Sequence, residues 1–329
     1  MIIPVQPRLI NDPTGDPGLY LDFRFGRRAM LFDLGDTAPL SPRELLRVSH
    51  VFISHTHMDH VAGIDRLLRL RLHRPRPLLM LGPPGFVRQI QSRLNSFTWN
   101  LLDETAVDFR LTVQSFDGDR IAEMAEFRAR ERFARRELPP PGIAPGLVLS
   151  EPAFEIRAAA LDHGIPSLAF AFLERDRVNV WRNGLAELGL PVGPWINAAK
   201  QAIRDNLPDH TVISVPGAGT VALGALRTRA FRTGKGQHFA YVTDAADTAS
   251  NRSRIIGLAR AADQLFIEAA FLEADRPAAA ATCHLTAQAA AGIAREAGVK
   301  RAIPFHFSAR YGTDSALLAA EFHAAFAAP

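Results

Sequence analysis

The sequence predicts an α/β protein built in four layers, two sheets face to face with helices outside them (αββα). Three observations carry that expectation. Short apolar runs of β-like composition alternate with amphipathic helical segments along the chain. The two halves each supply strands and then helices, as two sheets with outer helices require. A length of 329 residues, with 47% hydrophobic and 22% charged side chains, is ample for a sizeable core. We expect one domain over residues 1–329, with a peripheral insertion at about 118–150 and an arm-like segment at about 174–216.

Residues 19–25 (LYLDFRF) and 29–33 (AMLFD) read as a hairpin across Gly26, and 48–54 (VSHVFIS) as a buried strand. Between them Ser41-Pro42-Arg43-Glu44 is a capping box with proline at the first helical position, so a short helix should run to Arg47. After His60 a helix presents Ile64, Leu67 and Leu68 on one face. Residues 75–82 give a strand and 84–94 a helix. The stretch 118–150 holds a charged piece (EMAEFRARERFARRE), read as helical, and a proline-rich return (PPPGIAPG). Strand-like runs resume at 154–161 and 168–173, and a less regular segment follows over 174–216. The last third alternates plainly: strand 239–243, helix 252–261, strand 264–268, helix 285–297, strand 301–304 and helix 314–327.

A formal net charge of +4 and a pI near 9.7 lean basic, which suits a polyanionic partner without selecting one. The single cysteine, Cys283, excludes internal disulfides and a cysteine-based zinc site. The start MIIPVQPRLINDPTG lacks the apolar core of a secretory signal, and no run approaches the length of a membrane span. A cytoplasmic, reducing location away from membranes is the expectation.

The chemistry concentrates in His55-Thr56-His57-Met58-Asp59-His60, directly after a strand ending in Ser54. In an extended segment side chains at i and i+2 share a face, so His55 and His57 can chelate one cation. A turn after Met58 then aims Asp59 and His60 at a second, at the short separation two-metal sites need. One motif cannot close two coordination spheres, so further donors must come from other strand ends. His163 follows 154–161, Asp244 follows 239–243 and His306 follows 301–304. Asp244 is the choice for a carboxylate bridging both cations, and Asp247, three residues on in YVTDAADT, is the alternative. His50, His73, His210, His238 and His323 receive no role.

At this point the residues match a family. SHTHMDH after a buried strand resembles the signature of metallo-β-lactamase-fold hydrolases. Later strings are similar to one branch of them, the ribonuclease Z (tRNA 3′-processing endonuclease) family. They are LFDLGD (31–36), LDHGIPSLAFAF (161–172), LGLPVGPWINAAK (188–200), IEAAF (267–271) and CHLTAQAAAGIAREAGVKRAIPFHFSARY (283–311). The resemblance covers roughly residues 29–82 and 154–329. It implies two zinc ions, or manganese in their place, held by His55, His57, Asp59, His60, His163, Asp244 and His306. It implies Asp59 as proton acceptor for the attacking water and His284, oriented by Glu268, as proton donor to the leaving oxygen. Ser308 and Arg310 would lie beside the scissile phosphate, and 174–216 would be the arm that grips the elbow of transfer RNA. Members are commonly homodimers. The chain departs from the family pattern at Met58 (usually Gly), Asp36 (usually Glu) and Ile267 (commonly His).

The expected reaction is endonucleolytic removal of 3′ trailers from precursor transfer RNA, a phosphodiester hydrolysis by a metal-bridging hydroxide. The alternative keeps fold and site but hydrolyses a small phosphodiester, sulfate ester, ester or lactone. His284, just ahead of an Ala-rich helix, either titrates beside Glu268 or merely caps that helix. Arg310 offers a planar fork for phosphate or forms an ordinary Arg–carboxylate pair. Arg66, Arg69, Arg71, His73, Arg74 and Arg76 cluster after the motif, as an RNA-contacting face or as a solvated helix face.

Overall fold

The computed structural model describes residues 5–24 and 26–328. Phe25, the last residue of the expected strand 19–25, lies outside the described residues, as do the first four residues and Pro329. Two compact units divide the chain. Unit 1 comprises Met1–Ser150, Ile156–Phe172 and His238–Pro329, and unit 2 comprises Glu151–Glu155 and Leu173–Gln237.

In unit 1 an eight-stranded sheet runs in sequence order: β1 (Val5–Leu9), β2 (Leu19–Phe23), β3 (Arg28–Phe32), β4 (Val48–Phe52), β5 (Leu78–Gly82), β6 (Arg110–Phe116), β7 (Ile121–Arg128) and β8 (Arg135–Glu137). Strands β3 to β6 are mutually parallel, and the pairs at either edge are antiparallel. Its helices are α1 (Pro42–Leu45), α2 (Met58–Val61), α3 (Ile64–Arg71) and α4 (Phe86–Asn95). The capping box is present: Glu44 N donates to Ser41 Oγ (3.3 Å) and Ser41 N to Glu44 Oε2 (2.9 Å). Leu45, Ile64, Leu67, Leu68, Phe86, Ile90 and Leu94 bury the helices' apolar faces against this sheet.

The segment 118–150 corrects the sequence reading. Its charged piece is not an α-helix: apart from a 3-10 turn at Ala129–Glu131 it forms β7 and β8, which continue the sheet beyond β6 through a turn at Asp117-Gly118, where Gly118 takes a φ of +109°. Ile121, Ala125 and Phe127 are buried in alternation with Ala122, Glu126 and Arg128, a period of two that the many charges disguise.

The second sheet begins with β9 (Leu147–Glu151), β10 (Phe154–Asp162) and β11 (Pro166–Glu174). The chain then forms unit 2, which holds β12 (Arg177–Val180), α5 (Arg182–Glu187), α6 (Trp195–Arg204), β13 (Val212–Val215), β14 (Gly219–Ala222), α7 (Leu223–Arg229) and β15 (Phe231–Gly234). Two small antiparallel sheets, β12 with β15 and β13 with β14, enclose a core of Trp195, Ile196, Ala199, Ile203, Leu223, Leu226 and Phe231. The arm-like segment expected over 174–216 is therefore part of a longer folded unit that ends at Gln237.

Back in unit 1, β16 (His238–Val242), β17 (Gln264–Glu268) and β18 (Ala302–Phe305) are parallel and complete a sheet ordered β18-β17-β16-β11-β10-β9. The helices α8 (Ala249–Ala259), α9 (Arg276–Ala281), α10 (Ala287–Glu296) and α11 (Ala316–Ala327) alternate with them, as expected. Ile255, Ala290, Ile293, Ala294, Leu318 and Phe322 cover that sheet's outer face. Between the sheets, Phe32 stacks on Phe170 (5.3 Å between centroids) and contacts Phe52 and Tyr241. The four-layer αββα arrangement follows: each sheet shields one face with helices and the other with its partner.

Candidate metal centre

Every member of the expected donor set lies in unit 1, just past the carboxyl end of a strand. His55, His57, Asp59 and His60 follow β4 and enter α2, His163 follows β10, Asp244 follows β16 and His306 follows β18. Parallel pairing sets the second sheet's strand ends level, since Val242 is opposite Ile267 and Glu268 is opposite Phe305. A Cβ at Gly35 would overlap the carbonyl oxygen of Asp59, so only glycine lets the loop after β3 approach α2 this closely. Asp244, Cys283 and His306 all have positive φ (38°, 58° and 57°), a conformation non-glycine residues rarely hold and one concentrated here around the cluster.

The donors converge as three overlapping groups, and Asp244 belongs to two of them, one with His55, His57 and His163 and one with Glu268, His284 and His306. Ligating atoms of His55, His57, His163 and Asp244 all fall within 4.8 Å of one another, as do those of Asp59, His60 and His306. Asp244 Oδ2 stands 3.5 Å from His55 Nε2, 3.4 Å from His163 Nε2 and 3.5 Å from His60 Nε2, while its Oδ1 is 3.0 Å from His306 Nδ1. It faces both groups. Asp247, the alternative, is turned away onto Arg252 (2.5 Å) and Arg276 (3.4 Å).

Electrostatics explain how so many imidazoles coexist. The His55 and His60 ring centroids are only 4.0 Å apart, so both rings cannot carry a proton without heavy repulsion. Burial, with His60 adding to it, drives the His55 pKa down to about 2. Burial also works against charge on His60, but Asp33 and Asp244 outweigh it and raise that ring well above its ordinary value. Burial favours a neutral Asp244, yet His306, His60 and His55 hold its carboxyl well below the usual range. Burial likewise opposes charge on Asp59, and the adjoining His306 and His60 rings hold its carboxyl well below the usual range.

Asp33, to which the sequence assigned no role, anchors His60. It is fully buried with φ 57°. Its Oδ1 accepts from Ser54 N (2.7 Å), and its Oδ2 accepts from Ser54 Oγ (2.8 Å) and Tyr241 OH (2.9 Å) and stands 3.0 Å from His60 Nδ1. That contact leaves His60 Nε2 aimed at the cluster. On the other side His163 Nδ1 is 2.8 Å from the carbonyl oxygen of Cys283, which turns its Nε2 the same way.

A family model described as a beta-lactamase superfamily domain matches residues 211–307. A ribonuclease Z of Deinococcus radiodurans is 30% identical over 312 residues, covering 92% of this chain and 90% of that protein. The chain belongs to the ribonuclease Z family. Human tRNase Z, short form, has a similar fold, with a TM-score of 0.50 at 17% identity over 93% of this chain and 91% of that one. A metallo-beta-lactamase fold protein of Bacillus subtilis reaches a TM-score of 0.55 at 15% identity, over 98% and 94%. The metallo-β-lactamase fold expected from the sequence is therefore present, and membership of the ribonuclease Z family makes the chain a metal-dependent hydrolase. It does not favour the small-ester alternative.

The residues fit the divalent metal that a ribonuclease Z requires. Nε2 of His55, Nε2 of His60 and Nδ1 of His306 are buried without a hydrogen-bond partner of acceptable geometry, and they sit beside anionic carboxylates. Buried imidazole nitrogens left unpartnered in this way, among the donor types zinc takes, fit a cation between them. Next to them His284 Nδ1 is 2.8 Å from Glu268 Oε2, whose other oxygen accepts from Ala245 N (2.7 Å). Burial opposes charge on His284, but Glu268 pushes its pKa up to about 9. Helix α10 is capped by Thr286, so His284 is not its cap. A pocket of about 360 Å³ opens here, lined by Asp59, Phe271, His284, His306 and Ser308. Arg310 is exposed, with its guanidinium over the rings of Phe271 (5.6 Å) and Tyr311 (5.8 Å). Among the described residues it has no carboxylate partner.

Proposed function

We propose that this ribonuclease Z family member removes 3′ trailers from precursor transfer RNA, with two zinc ions, or manganese in their place, held by the donor set above. His55, His57 and His163 would take one cation, Asp59, His60 and His306 the other, with Asp244 shared. What carries the reading is the donor cluster around Asp244 together with His284, which lines one pocket beside Asp59 and His306 and is backed by the buried Glu268 carboxylate. Bound there, the cations would acidify water and neutralise charge growing on the phosphate oxygens.

The chain's own residues do the rest. Asp59, held anionic and 41% exposed, is available to take the proton of the attacking water. His284, protonated at neutral pH beside Glu268, delivers a proton to the leaving oxygen. The Arg310 fork, backed by two rings, and the Ser308 hydroxyl grip the scissile phosphate. Unit 2 serves as the arm that holds the transfer RNA elbow. The same reading carries a homodimer working in the cytoplasm.

Precursor transfer RNA with a 3′ trailer, incubated alongside bis-p-nitrophenyl phosphate with and without chelator, tests it. Release of the trailer at one nucleotide, abolished by chelation, is the expected result. Turnover of the small ester alone would overturn the RNA assignment.

A further inference from the structure

The edge of the first sheet remote from the metal centre holds a second concavity. Arg27 directly precedes β3, Arg47 directly precedes β4 and Arg76 lies two residues ahead of β5, whereas Asp33 and His55 follow the other ends of β3 and β4. Because β3 to β5 are parallel, the two groups of residues sit at opposite edges. The five residues of β4 alone separate them by roughly 16 Å. Arg24, Arg27, Arg43, Arg47, Arg76 and Glu44 line an open groove of about 820 Å³ there. Five positive charges against one negative leave a surplus of four, equal to the formal net charge of +4 for the whole chain.

Little inside the protein offsets that surplus. Glu44 is committed, accepting from Arg8 (2.5 Å) and from Ser41 N and Oγ (2.9 and 2.7 Å). Arg47 is tied to Asp22 (2.6 Å). Arg24, Arg27, Arg43 and Arg76 are exposed, and among the described residues none has a carboxylate partner. Arg76 gives one N–H to the carbonyl oxygen of Arg27 (2.9 Å) and keeps the rest of its fork. Behind them lies Arg71, 1% exposed and bonded only to carbonyl oxygens, two of which belong to Arg76 and Pro77. Its buried charge adds to the field of the groove instead of cancelling it.

Four open guanidinium forks in one groove match several successive phosphates better than a single one. No aromatic ring among the described residues lines the groove, which favours contact with a sugar–phosphate backbone over stacking on bases. We propose that this groove is a second RNA-binding surface that holds the phosphate backbone of the substrate away from the scissile bond. It rests on the RNA-processing reading above.

Binding of precursor transfer RNA to the full-length, metal-loaded protein, measured by fluorescence anisotropy across a salt series, tests it. Replacing Arg24, Arg27, Arg43 and Arg76 together by Gln should weaken binding at least about tenfold near 0.1 M salt. It should also lower the slope of log affinity against log salt by about 3, at roughly 0.7–0.9 for each phosphate no longer neutralised. The double variant Arg24→Gln/Arg43→Gln, whose side chains make no hydrogen bond among the described residues, should lose about half of that slope while melting like the parent. Turnover of bis-p-nitrophenyl phosphate should be unchanged in both. Parental affinity and slope in both variants would overturn the inference. So would inorganic polyphosphate occupying the groove while RNA binding stays at the parental level. Binding is read independently of cleavage, so a parent that cleaves no precursor would sink the proposed function and leave this test standing.

Discussion

Replacing Asp33 by Asn removes one negative charge and one acceptor from a site with no solvent access. The carboxylate serves two donors from Ser54, one from Tyr241 and the His60 ring, all within 3.0 Å. An amide has a single acceptor oxygen. If that oxygen keeps the three partners of Oδ2, the new NH2 group meets the Ser54 N–H, donor against donor. Losing one charge-assisted bond and stranding buried donors costs roughly 2–3 kcal/mol. His60 also loses the anion that orients it, which should weaken metal affinity about 10- to 100-fold. Urea denaturation of the chelator-treated protein reads the first effect, and competition with a metal-sensitive dye reads the second. A variant within about 0.5 kcal/mol of the parent, with unchanged metal affinity, would refute the role assigned to Asp33.

Replacing His284 by Ala should lower trailer release by about 10²- to 10⁴-fold with metal content unchanged. Loss of metal from that variant would instead make His284 a ligand. Arg71→Met strands the carbonyl oxygens of Leu46, Val48, Arg76 and Pro77 and should cost about 2–4 kcal/mol in urea denaturation; a change under about 0.5 kcal/mol, the scatter of neutral surface variants, speaks against it. Adding metal at about 1,000 times its dissociation constant should stabilise the protein by roughly 4 kcal/mol, seen as a higher melting temperature that chelator reverses. Burial holds His238 below its ordinary value of 6.5, so the ring folds neutral and the unfolded chain binds the proton first. Its contribution to stability is whole above pH 6.5 and drains as pH falls below that. His238→Gln should flatten this slope relative to the parent, and equal slopes between about pH 6.5 and 5 would contradict it.

Most of unit 1 was legible because its apolar periods are regular and some helices carry a plain cap, as at Ser41, Thr248 and Thr286. The alternation over 239–327 and the strand before His55 follow from apolar runs bounded by turns and caps. Strands β6 to β8 were not. Arg128, Arg130, Arg132 and the glutamates among them mimic a solvated helix, while Ile121, Ala125 and Phe127 carry a two-residue period that one-sided burial demands. In unit 2 the spacing of Trp195, Ile196, Ala199, Ala202 and Ile203 marks α6, yet the Pro and Gly residues ahead of it suggested irregular chain. The arginine run after the metal motif divided by burial, which spacing alone does not reveal. Arg71 is in the core, and Arg66 gives its fork to the carbonyl oxygens of Thr37 and Leu40. At the site, the ends of apolar runs placed His163, Asp244 and His306 in sequence, and the structure brings them together with His55, His57, Asp59 and His60. Asp33 escaped notice because its task is to hold another side chain, and nothing in its local sequence announces that.

No donor of the cluster comes from unit 2; the donors stand just past strand ends or, for Asp59 and His60, in the short helix that follows one. The donor set and the fold of unit 2 are thereby built from separate stretches of chain. Changes within unit 2 leave every member of the donor set in place, whereas a shift at the cation-holding edge moves several of them at once. On the proposed reading, replacing unit 2 would change what is held and leave the cation-holding residues where they are.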